Sequence, residues 1–318
     1  MTMLPYKRAA DLAEHVTETA WLVEGLWGDN AVGILGGEPK CFKSFLALDL
    51  AVAVSSGRPC LGQFPVHRPG PVLLYAAEDS HDIVRTRLAG IAAARGVDLR
   101  DLDIQVITSE KLRLDQPADV EALDETVVAL RPRLLILDPF VRLHGIDENS
   151  SAEVAIILGN LRLMQRRYGV AILIVHHAKK NGGSVRAGQA LRGSSEFHAW
   201  GDSNLYMRRT ADRLALTTEH RAASSRTGIA LALRGEENRL ALEIEDQDGE
   251  AELSQGKARP TSVERIERAL TTAGEPLGLS ALRQASGLRT ATLCENLKTL
   301  LGTGRVLKDD IGYSLAAN

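Results

Sequence analysis

Residues 36–44 of this chain read Gly36-Gly37-Glu38-Pro39-Lys40-Cys41-Phe42-Lys43-Ser44, and this stretch decides the fold. It follows an apolar segment at residues 30–36, which predicts a short buried strand. It precedes residues 45–56, whose apolar side chains nearly surround a helix, so this helix is expected to be buried. Gly57 is its predicted C-cap. A loop between such a strand and helix surrounds phosphate oxygens with backbone N–H groups and with the helix N-terminus.

The spacing satisfies the pattern G-x-x-x-x-G-K-[ST] with one departure, because Phe42 stands where glycine is usual. Lys43 then supplies a mobile cation and Ser44 offers a hydroxyl group to Mg²⁺, so ATP and Mg²⁺ are the predicted cofactors. The bulky Phe42 is expected to narrow the loop and weaken nucleotide affinity. A glycine- and proline-rich turn that happens to end in Lys-Ser is the alternative interpretation. The predicted nucleotide-binding residues are Gly37, Glu38, Pro39, Lys40, Cys41, Phe42, Lys43 and Ser44.

Composition narrows the class of protein. The chain has 318 residues, 44% of them hydrophobic, and a formal net charge of −3, which excludes disordered and collagen-like chains and broadly basic, histone-like proteins. Cys41, Cys60 and Cys294 are far apart and predict neither a disulfide framework nor a metal site, so a cytoplasmic location is expected. No apolar run approaches the ~18 residues that a membrane span needs.

Strands and helices alternate along the first half of the chain. Continuous apolar runs at residues 71–77, 104–107, 134–137 and 170–175 predict strands of a parallel α/β sheet covered on both faces. After about residue 200 the pattern changes to short, partly alternating segments, at residues 204–207, 214–218, 228–233 and 240–245. These predict antiparallel hairpins that extend the same sheet.

A second domain is predicted at the C-terminal end. We expect an ATPase domain at residues 1–250, including an N-terminal segment at 1–28, then a linker at 251–261 and a winged-helix-like domain at 262–318. The last domain has the order of three helices and a hairpin. From Thr261 onward it carries seven basic and six acidic residues, so DNA binding and protein interaction are equally open for it.

Further polar residues end the apolar strands. Asp138 ends residues 134–138 and is a candidate to hold Mg²⁺ through water, or alternatively a turn residue. Glu78 follows residues 71–77; if this strand lies beside the strand before the loop, Glu78 points at the γ-phosphate and polarises the attacking water. Its neighbour Asp79 is expected to cap the next helix. His177 and its neighbour end residues 171–177; adjacent histidines face opposite ways, which argues against a metal site.

Together these elements resemble the RecA-like and DnaB-like ATPases, and most closely the RepA-type hexameric replicative helicases of plasmids and mobile elements. The matching text includes GGEPKCFKSFLALDLAVAVSSG, PVLLYAAEDS, LLILDPFVRLHG, LIVHHAKK and LRGSS, within about residues 20–235. The resemblance implies a RecA-like P-loop NTPase with a mainly parallel sheet extended by antiparallel hairpins. It implies Lys43 and Ser44 as nucleotide and Mg²⁺ ligands, Glu78 as the catalytic glutamate, Asp138 as the Walker B aspartate and His177 as the γ-phosphate sensor.

The resemblance also implies an arginine finger from a neighbouring subunit, for which Arg208 and Arg209 are the candidates, with solvated strand-end arginines as the alternative. The loop after the sensor strand would face a central channel. At residues 178–193 it holds Lys179, Lys180, Arg186 and Arg192 and no acidic residue, so it is predicted to grip the backbone of single-stranded nucleic acid. Residues 141–151, with Arg142 and His144, are the second channel candidate. The alternative for either loop is an exposed surface loop that makes no contact with nucleic acid.

The leading hypothesis is therefore an oligomeric ATP-hydrolysing motor of the DNA helicase type, for which the resemblance implies a hexamer. It would act on single-stranded DNA in replication or recombination of a plasmid, phage or mobile element. The alternative is a non-translocating, ATP-dependent DNA-binding regulator or recombination mediator. A third possibility is a degenerate nucleotide-binding scaffold with negligible turnover, which the departure at Phe42 keeps open.

Overall fold

The structure is a computed structural model in which the chain forms two compact units, Met1–Asp246 and Gln247–Asn318. It describes residues 3–4, 6–11, 20–177, 196–210, 213–236, 239–245, 262–274, 276–286, 288, 290–303, 305–309 and 312–316.

The strands of the described residues, in chain order, are β1 (Trp21–Val23), β2 (Trp27–Gly28), β3 (Val32–Gly37), β4 (Val72–Ala76), β5 (Ile104–Val106), β6 (Leu134–Asp138), β7 (Ala171–His177), β8 (Ser203–Arg209), β9 (Leu214–His220), β10 (Ile229–Arg234), β11 (Ala241–Ile244), β12 (Val306–Lys308) and β13 (Tyr313–Leu315). The α-helices are α1 (Lys43–Ser56), α2 (His81–Ala94), α3 (Pro117–Leu130), α4 (Ser151–Tyr168), α5 (Glu196–Trp200), α6 (Ser262–Ala273), α7 (Leu279–Ser286) and α8 (Thr290–Gly302).

One large sheet organises the first unit, and its strand order is β11-β10-β9-β8-β3-β7-β6-β4-β5. Strands β8, β3, β7, β6, β4 and β5 run parallel, whereas β9, β10 and β11 continue the sheet antiparallel. The prediction of a mainly parallel sheet extended by antiparallel strands is thus confirmed. Residues 204–207 pair antiparallel with β9, as predicted, and their strand also pairs in parallel with β3, which was not predicted from the sequence. Parallel strands need a crossover connection, and the chain between β7 and β8 is long enough to provide one.

Helices cover both faces of this sheet. Leu74, Leu205 and Met207 point into a core shared with α1 and α2, while Tyr75 and Tyr206 point into a second core shared with α3 and α4. This alternation follows from the two-residue period of a strand. Gly57 ends α1 with φ 73°, and its N–H donates to the Ala53 carbonyl oxygen at 2.8 Å, as predicted for the cap.

The second unit has a core of its own. Helices α6, α7 and α8 and the antiparallel pair β12–β13 surround the buried side chains of Ile266, Leu270, Leu282, Leu297 and Val306. The described elements follow the predicted order of three helices and a hairpin, and the assignment to the winged-helix class stays a prediction. The predicted linker at 251–261 lies outside the described residues.

A buried ion pair ties α1 to α2 and β11. The Asp49 carboxylate has no solvent exposure and accepts a hydrogen bond from the Leu61 backbone N–H at 2.8 Å. The Arg95 guanidinium donates both to Asp49 and to the Leu242 carbonyl oxygen. Burial raises the pKa of Asp49, and the charge of Arg95 opposes this rise.

We expect Asp49→Ala to lower the free energy of unfolding by about 3–5 kcal/mol, because Arg95 would then stay buried without a counter-charge. Urea unfolding measures this change. The control is Glu245→Ala, which removes an exposed ion pair with Arg234 and should cost no more than about 1 kcal/mol. Equal effects of the two substitutions would contradict the role of Asp49.

Candidate active site

The phosphate loop connects β3 to α1, and its geometry explains the unusual Phe42. Lys43 and Ser44 open α1, so their backbone N–H groups belong to a helix N-terminus, which attracts anions. Lys40 and Phe42 have φ values of 64° and 62°, in the left-handed region. Phe42 therefore takes the conformation that glycine adopts easily, at a cost of about 1–2 kcal/mol for a residue with a Cβ atom.

The Lys43 side chain lies inside this loop. Its Nζ donates hydrogen bonds to the carbonyl oxygens of Gly37 at 3.0 Å and Glu38 at 2.8 Å, and lies 3.8 Å from Cys41 Sγ. Burial lowers the pKa of Lys43, and the thiol of Cys41 and two nearby carboxylates oppose the shift. Burial also raises the pKa of the Cys41 thiol. A phosphate oxygen is a stronger acceptor than a carbonyl, so the ammonium group can exchange its loop partners for a phosphate.

Asp138 and Ser44 meet at the carboxyl edge of the sheet. Asp138 ends β6, and its carboxylate lies close enough to Ser44 for the hydroxyl to stabilise the carboxylate charge. Burial raises the pKa of Asp138 to about 6, with repulsion from Asp79 and Glu78 adding to the rise and Lys43 opposing it. A hydroxyl and a carboxylate oxygen are the hard ligands that Mg²⁺ prefers, so this pair fits the predicted metal.

Glu78 reaches the same edge from an unexpected position. The condition that its strand lies beside the loop strand is wrong, because β7 and β6 separate β4 from β3. All four strands are parallel, so their carboxyl ends still share one edge. Glu78 follows β4 by two residues and is close enough for its charge to act on Lys43 and Asp138.

An ion pair holds the Glu78 carboxylate. Arg142 Nε lies 3.0 Å from Glu78 Oε1, and both side chains are exposed, by 62% and 44%. Arg142 belongs to the turn after β6, where the sequence indicated a channel loop but gave no sign of this partner. His144 of the same loop is buried, with its ring 4.4 Å from that of Phe140 and its Nε2 3.4 Å from Glu148. His144 is therefore not placed for a nucleic-acid contact.

The expectation that Asp79 caps the next helix is wrong. The residue at the N-cap of α2 is Ser80, and the Asp79 carboxylate instead pairs with Arg87, eight residues further along the chain. The Arg87 guanidinium also lies 5.2 Å from the centre of the Phe45 ring. Arg87 therefore links the segment that carries Glu78 to the first turn of α1.

A groove of about 540 Å³ opens beside the loop, and it was not predicted from the sequence. The Ile83 side chain is 44% exposed and lines this groove. The spacing of Phe42 and Phe45, three residues apart across the start of a helix, was the available signal. The lining residues are Phe42, Phe45, Asp82, Ile83, Thr86, Arg87, Leu233 and Leu240.

The two strands beside β3 bring further candidates to the loop. In the parallel register Gly37 lies opposite His177 on β7 and opposite Met207 on β8. His176 is buried and stacks on Phe197 with ring centres 4.3 Å apart. His177 is therefore placed next to the loop, and its role as sensor stays a prediction.

Arg208 and Arg209 end β8, and both side chains are exposed. Arg209 Nη1 donates to the Lys40 carbonyl oxygen at 3.4 Å, and its guanidinium carbon lies 5.1 Å from the centre of the Phe42 ring. Neither contact is evident from the sequence, since 169 residues separate Lys40 from Arg209 along the chain.

The predicted nucleic-acid contacts Lys179, Lys180, Arg186 and Arg192 lie outside the described residues. Within the described ranges, no helix is both long and apolar enough to cross a membrane. The described part of the chain also holds no group of three or more His, Cys, Asp or Glu side chains able to bind a metal ion. A Mg²⁺ ion at Ser44 and Asp138 would thus need phosphate oxygens and water as its other ligands.

Comparisons with known proteins agree with this geometry. The sequence profile of a family described as "AAA domain" matches residues 2–183. A structure of a DnaB-like replicative helicase, studied with primase, superimposes with a TM-score of 0.53 at 14% identity, covering 67% of this chain and 59% of the helicase chain. A crystal structure of the RadB recombinase gives 0.50 at 14% identity, covering 69% of this chain and 92% of the recombinase. These matches support a RecA-like P-loop ATPase fold, whereas the chain spans less than two thirds of the helicase.

Proposed function

This chain belongs to the AAA domain family, and from that premise we propose that it is an oligomeric ATP-hydrolysing motor of the RepA helicase type that acts on single-stranded DNA. One observation carries the ATPase part of this proposal. The Ser44 hydroxyl stabilises the charge of the Asp138 carboxylate at the point where the charges of Lys43 and Glu78 also act. Residues from a helix and two separate strands thus converge on one site for a phosphate and a cation.

Each of these residues has a separate task in hydrolysis. The loop N–H groups and the α1 N-terminus bind the phosphates, and Lys43 exchanges its loop carbonyl oxygens for phosphate oxygens. Ser44 and Asp138 would hold Mg²⁺, Asp138 through water, and the bound ion would supply charge neutralisation at the phosphoryl oxygens. Glu78 orients the attacking water and accepts its proton. Glu78 must first leave Arg142, because the carboxylate oxygen that accepts a hydrogen bond from the guanidinium is not free to accept one from the water.

The groove beside the loop fits the nucleobase. The Phe42 and Phe45 rings, 6.1 Å apart between centres, and the side chains of Ile83 and Leu233 offer apolar surface to a flat ring. Asp82 adds a carboxylate that can accept a hydrogen bond from an exocyclic amine. In this arrangement Phe42 contributes to base binding, which offsets the narrowing of the loop expected from its size.

The oligomer and the DNA contacts extend the proposal beyond the described residues. We place ATP between subunits of a ring, with Arg208 or Arg209 of a neighbour facing the γ-phosphate. The loop that carries Lys179, Lys180 and Arg192 would bind the DNA backbone without sequence preference.

Arg142 couples the proposed DNA contact to catalysis. It lies on a loop expected to face the channel and pairs with Glu78, so a DNA phosphate that attracts Arg142 would release the catalytic carboxylate. We expect Arg142→Ala to raise hydrolysis without DNA by about two- to fivefold, since an exposed ion pair contributes about 0–1 kcal/mol. Stimulation by DNA should shrink by the same factor. ATPase assays with and without oligothymidine measure both values.

The matched control is Arg100→Ala, which removes an exposed arginine paired with Asp98 away from the site. Its ATPase rate should equal that of the wild type. An Arg142→Ala protein that keeps the wild-type basal rate and DNA stimulation would count against this coupling.

The function as a whole is tested by the ATPase rate with and without single-stranded DNA, together with the mass of the protein in solution. Stimulation by DNA in a ring-sized species supports the motor. The compact C-terminal unit of three helices and a hairpin favours a second candidate, the ATP-dependent DNA-binding regulator or recombination mediator. Hydrolysis without unwinding of a forked duplex would favour that candidate, and binding without hydrolysis would favour a nucleotide-binding scaffold.

A further inference from the structure

We propose that Arg209 is a positioning residue for the phosphate loop of its own subunit, and that Arg208 is the arginine presented to the neighbouring site. The inference rests on the proposed ATPase function and deepens it. It decides between two adjacent residues that the sequence leaves equivalent, and it explains how the loop tolerates a phenylalanine in a glycine position.

The pleat of β8 separates the two arginines. Leu205 and Met207 point into the core shared with α1 and α2, whereas Tyr206 points into the core on the other face. Side chains two residues apart on a strand share a face. Arg209 therefore projects on the α1 side, where the phosphate loop lies, and Arg208 projects on the side of α4 and α5.

Arg209 contacts the loop at its two left-handed residues. Its Nη1 donates to the carbonyl oxygen of Lys40, and its guanidinium lies over the ring of Phe42. These residues have φ values of 64° and 62°. The strain of a left-handed residue with a Cβ atom persists only where its surroundings hold it. A hydrogen bond at one such residue and a cation–π contact at the other supply that restraint.

The contacts continue from Phe42 toward the catalytic glutamate. The Phe42 ring meets the Phe45 ring edge-on, Arg87 lies over Phe45, and Arg87 pairs with Asp79, the residue after Glu78. Arg209 thus lies at one end of a series of contacts that runs through the two rings to Arg87. The other end is the segment that carries Glu78.

An arginine acting in its own subunit and one acting on a neighbour have different kinetic signatures. Loss of the loop contact should raise the KM and Kd for ATP by about five- to twentyfold with a smaller change in kcat, because the loop binds ground state and transition state alike. Loss of a finger should lower kcat by about 10³-fold or more with little change in Kd. We expect Arg209→Ala to show the first pattern and Arg208→Ala the second.

Subunit mixing separates the two roles directly. An Arg208→Ala subunit keeps its own Lys43, so its site becomes complete beside a Lys43→Ala subunit that supplies Arg208. This mixture should therefore regain ATPase activity. The mixture of Arg209→Ala with Lys43→Ala should regain none, because the Arg209→Ala subunit carries the defect in its own loop. Recovery in the second mixture overturns the role of Arg209, and no recovery in the first overturns the assignment of Arg208.

A double-mutant cycle with Phe42→Gly tests the contact itself, without ATP. Thermal unfolding of the nucleotide-free wild type, Arg209→Ala, Phe42→Gly and the double variant should show a smaller effect of Arg209→Ala when residue 42 is glycine. Arg209→Lys keeps a positive charge near Lys40, so it provides a second variant to measure if Arg209→Ala does not fold. Arg234→Ala, an exposed arginine on β10, is the control. Additive effects overturn the proposal, whereas a wild-type protein without ATP turnover overturns only the proposed function.

Discussion

Replacing Glu78 by glutamine is expected to lower the rate of ATP hydrolysis by about 10²–10⁴-fold, the range typical for loss of a general base. Glutamine keeps the size of the side chain and can still accept a hydrogen bond, but it cannot take the proton of the attacking water. Binding of ATP and Mg²⁺ should persist, because Lys43, Ser44 and Asp138 are unchanged. Steady-state ATPase assays and titration with a fluorescent ATP analogue measure the two effects.

Two companion variants make this result specific. Lys43→Ala removes the cation that meets the phosphates and should weaken nucleotide binding as well as turnover. Glu245→Gln changes an exposed glutamate that pairs with Arg234 on the antiparallel part of the sheet, and it should behave as the wild type. If Glu78→Gln retains half of the wild-type rate, the assignment of the base is wrong. The alternative of a scaffold with negligible turnover would then gain weight.

Replacing Asp138 by asparagine is expected to abolish Mg²⁺-dependent turnover and yet stabilise the nucleotide-free protein at neutral pH. The pKa of Asp138 is raised to about 6, from an ordinary value of 3.8. The folded protein therefore binds this proton more tightly than the unfolded chain does. The contribution of Asp138 to the free energy of unfolding is present below pH 4 and is lost as the pH rises through about 6. At pH 7.5 the full free-energy cost of burying the charged carboxylate is present. Asparagine is never charged, so it escapes that cost.

The expected gain at pH 7.5 is about 1–3 kcal/mol, from a shift of about two pKa units reduced for partial exposure of the side chain. This corresponds to a rise of about 2–8 °C in Tm. The gain should shrink at pH 5, and ATP with Mg²⁺ should stabilise the wild type more than the variant. Asp101→Asn, at an exposed position, is the control. A loss of stability at pH 7.5, or an equal gain at both pH values, would contradict the electrostatic origin.

Local pattern was enough for the elements that carry the chemistry. The alternation of apolar runs with helical spacing predicted the strands and helices of the sheet, because burial on both faces demands such runs. The phosphate loop was evident from Lys43 and Ser44 at a fixed distance from Gly37. The end of the strand at Asp138 was evident from the polar residue after four apolar ones. Each of these signals lies within a few residues of the position that it predicts.

Predictions that depended on a distant partner were less successful. The position of Glu78 beside the loop strand and the capping role of Asp79 were both wrong, because strand order and ion pairs join residues far apart in the chain. Arg142 was chosen for its charge, while its contact with Glu78 was not foreseen. The groove beside Phe42 was missed, since α2 and the antiparallel strands supply much of its wall.

The sequence by itself predicted which residues form the phosphate loop, where the strands end and in what order the elements follow. These properties depend on backbone conformation and on periods of two and 3.6 residues, which are local. Only the tertiary structure decided that Asp138 lies beside Ser44, that Glu78 is held by Arg142 and that Arg209 lies over the ring of Phe42. The physical reason is the parallel sheet. Its crossover connections bring together strand ends that are far apart in the chain, and the alternation of side chains along each strand decides to which face of the sheet each one points.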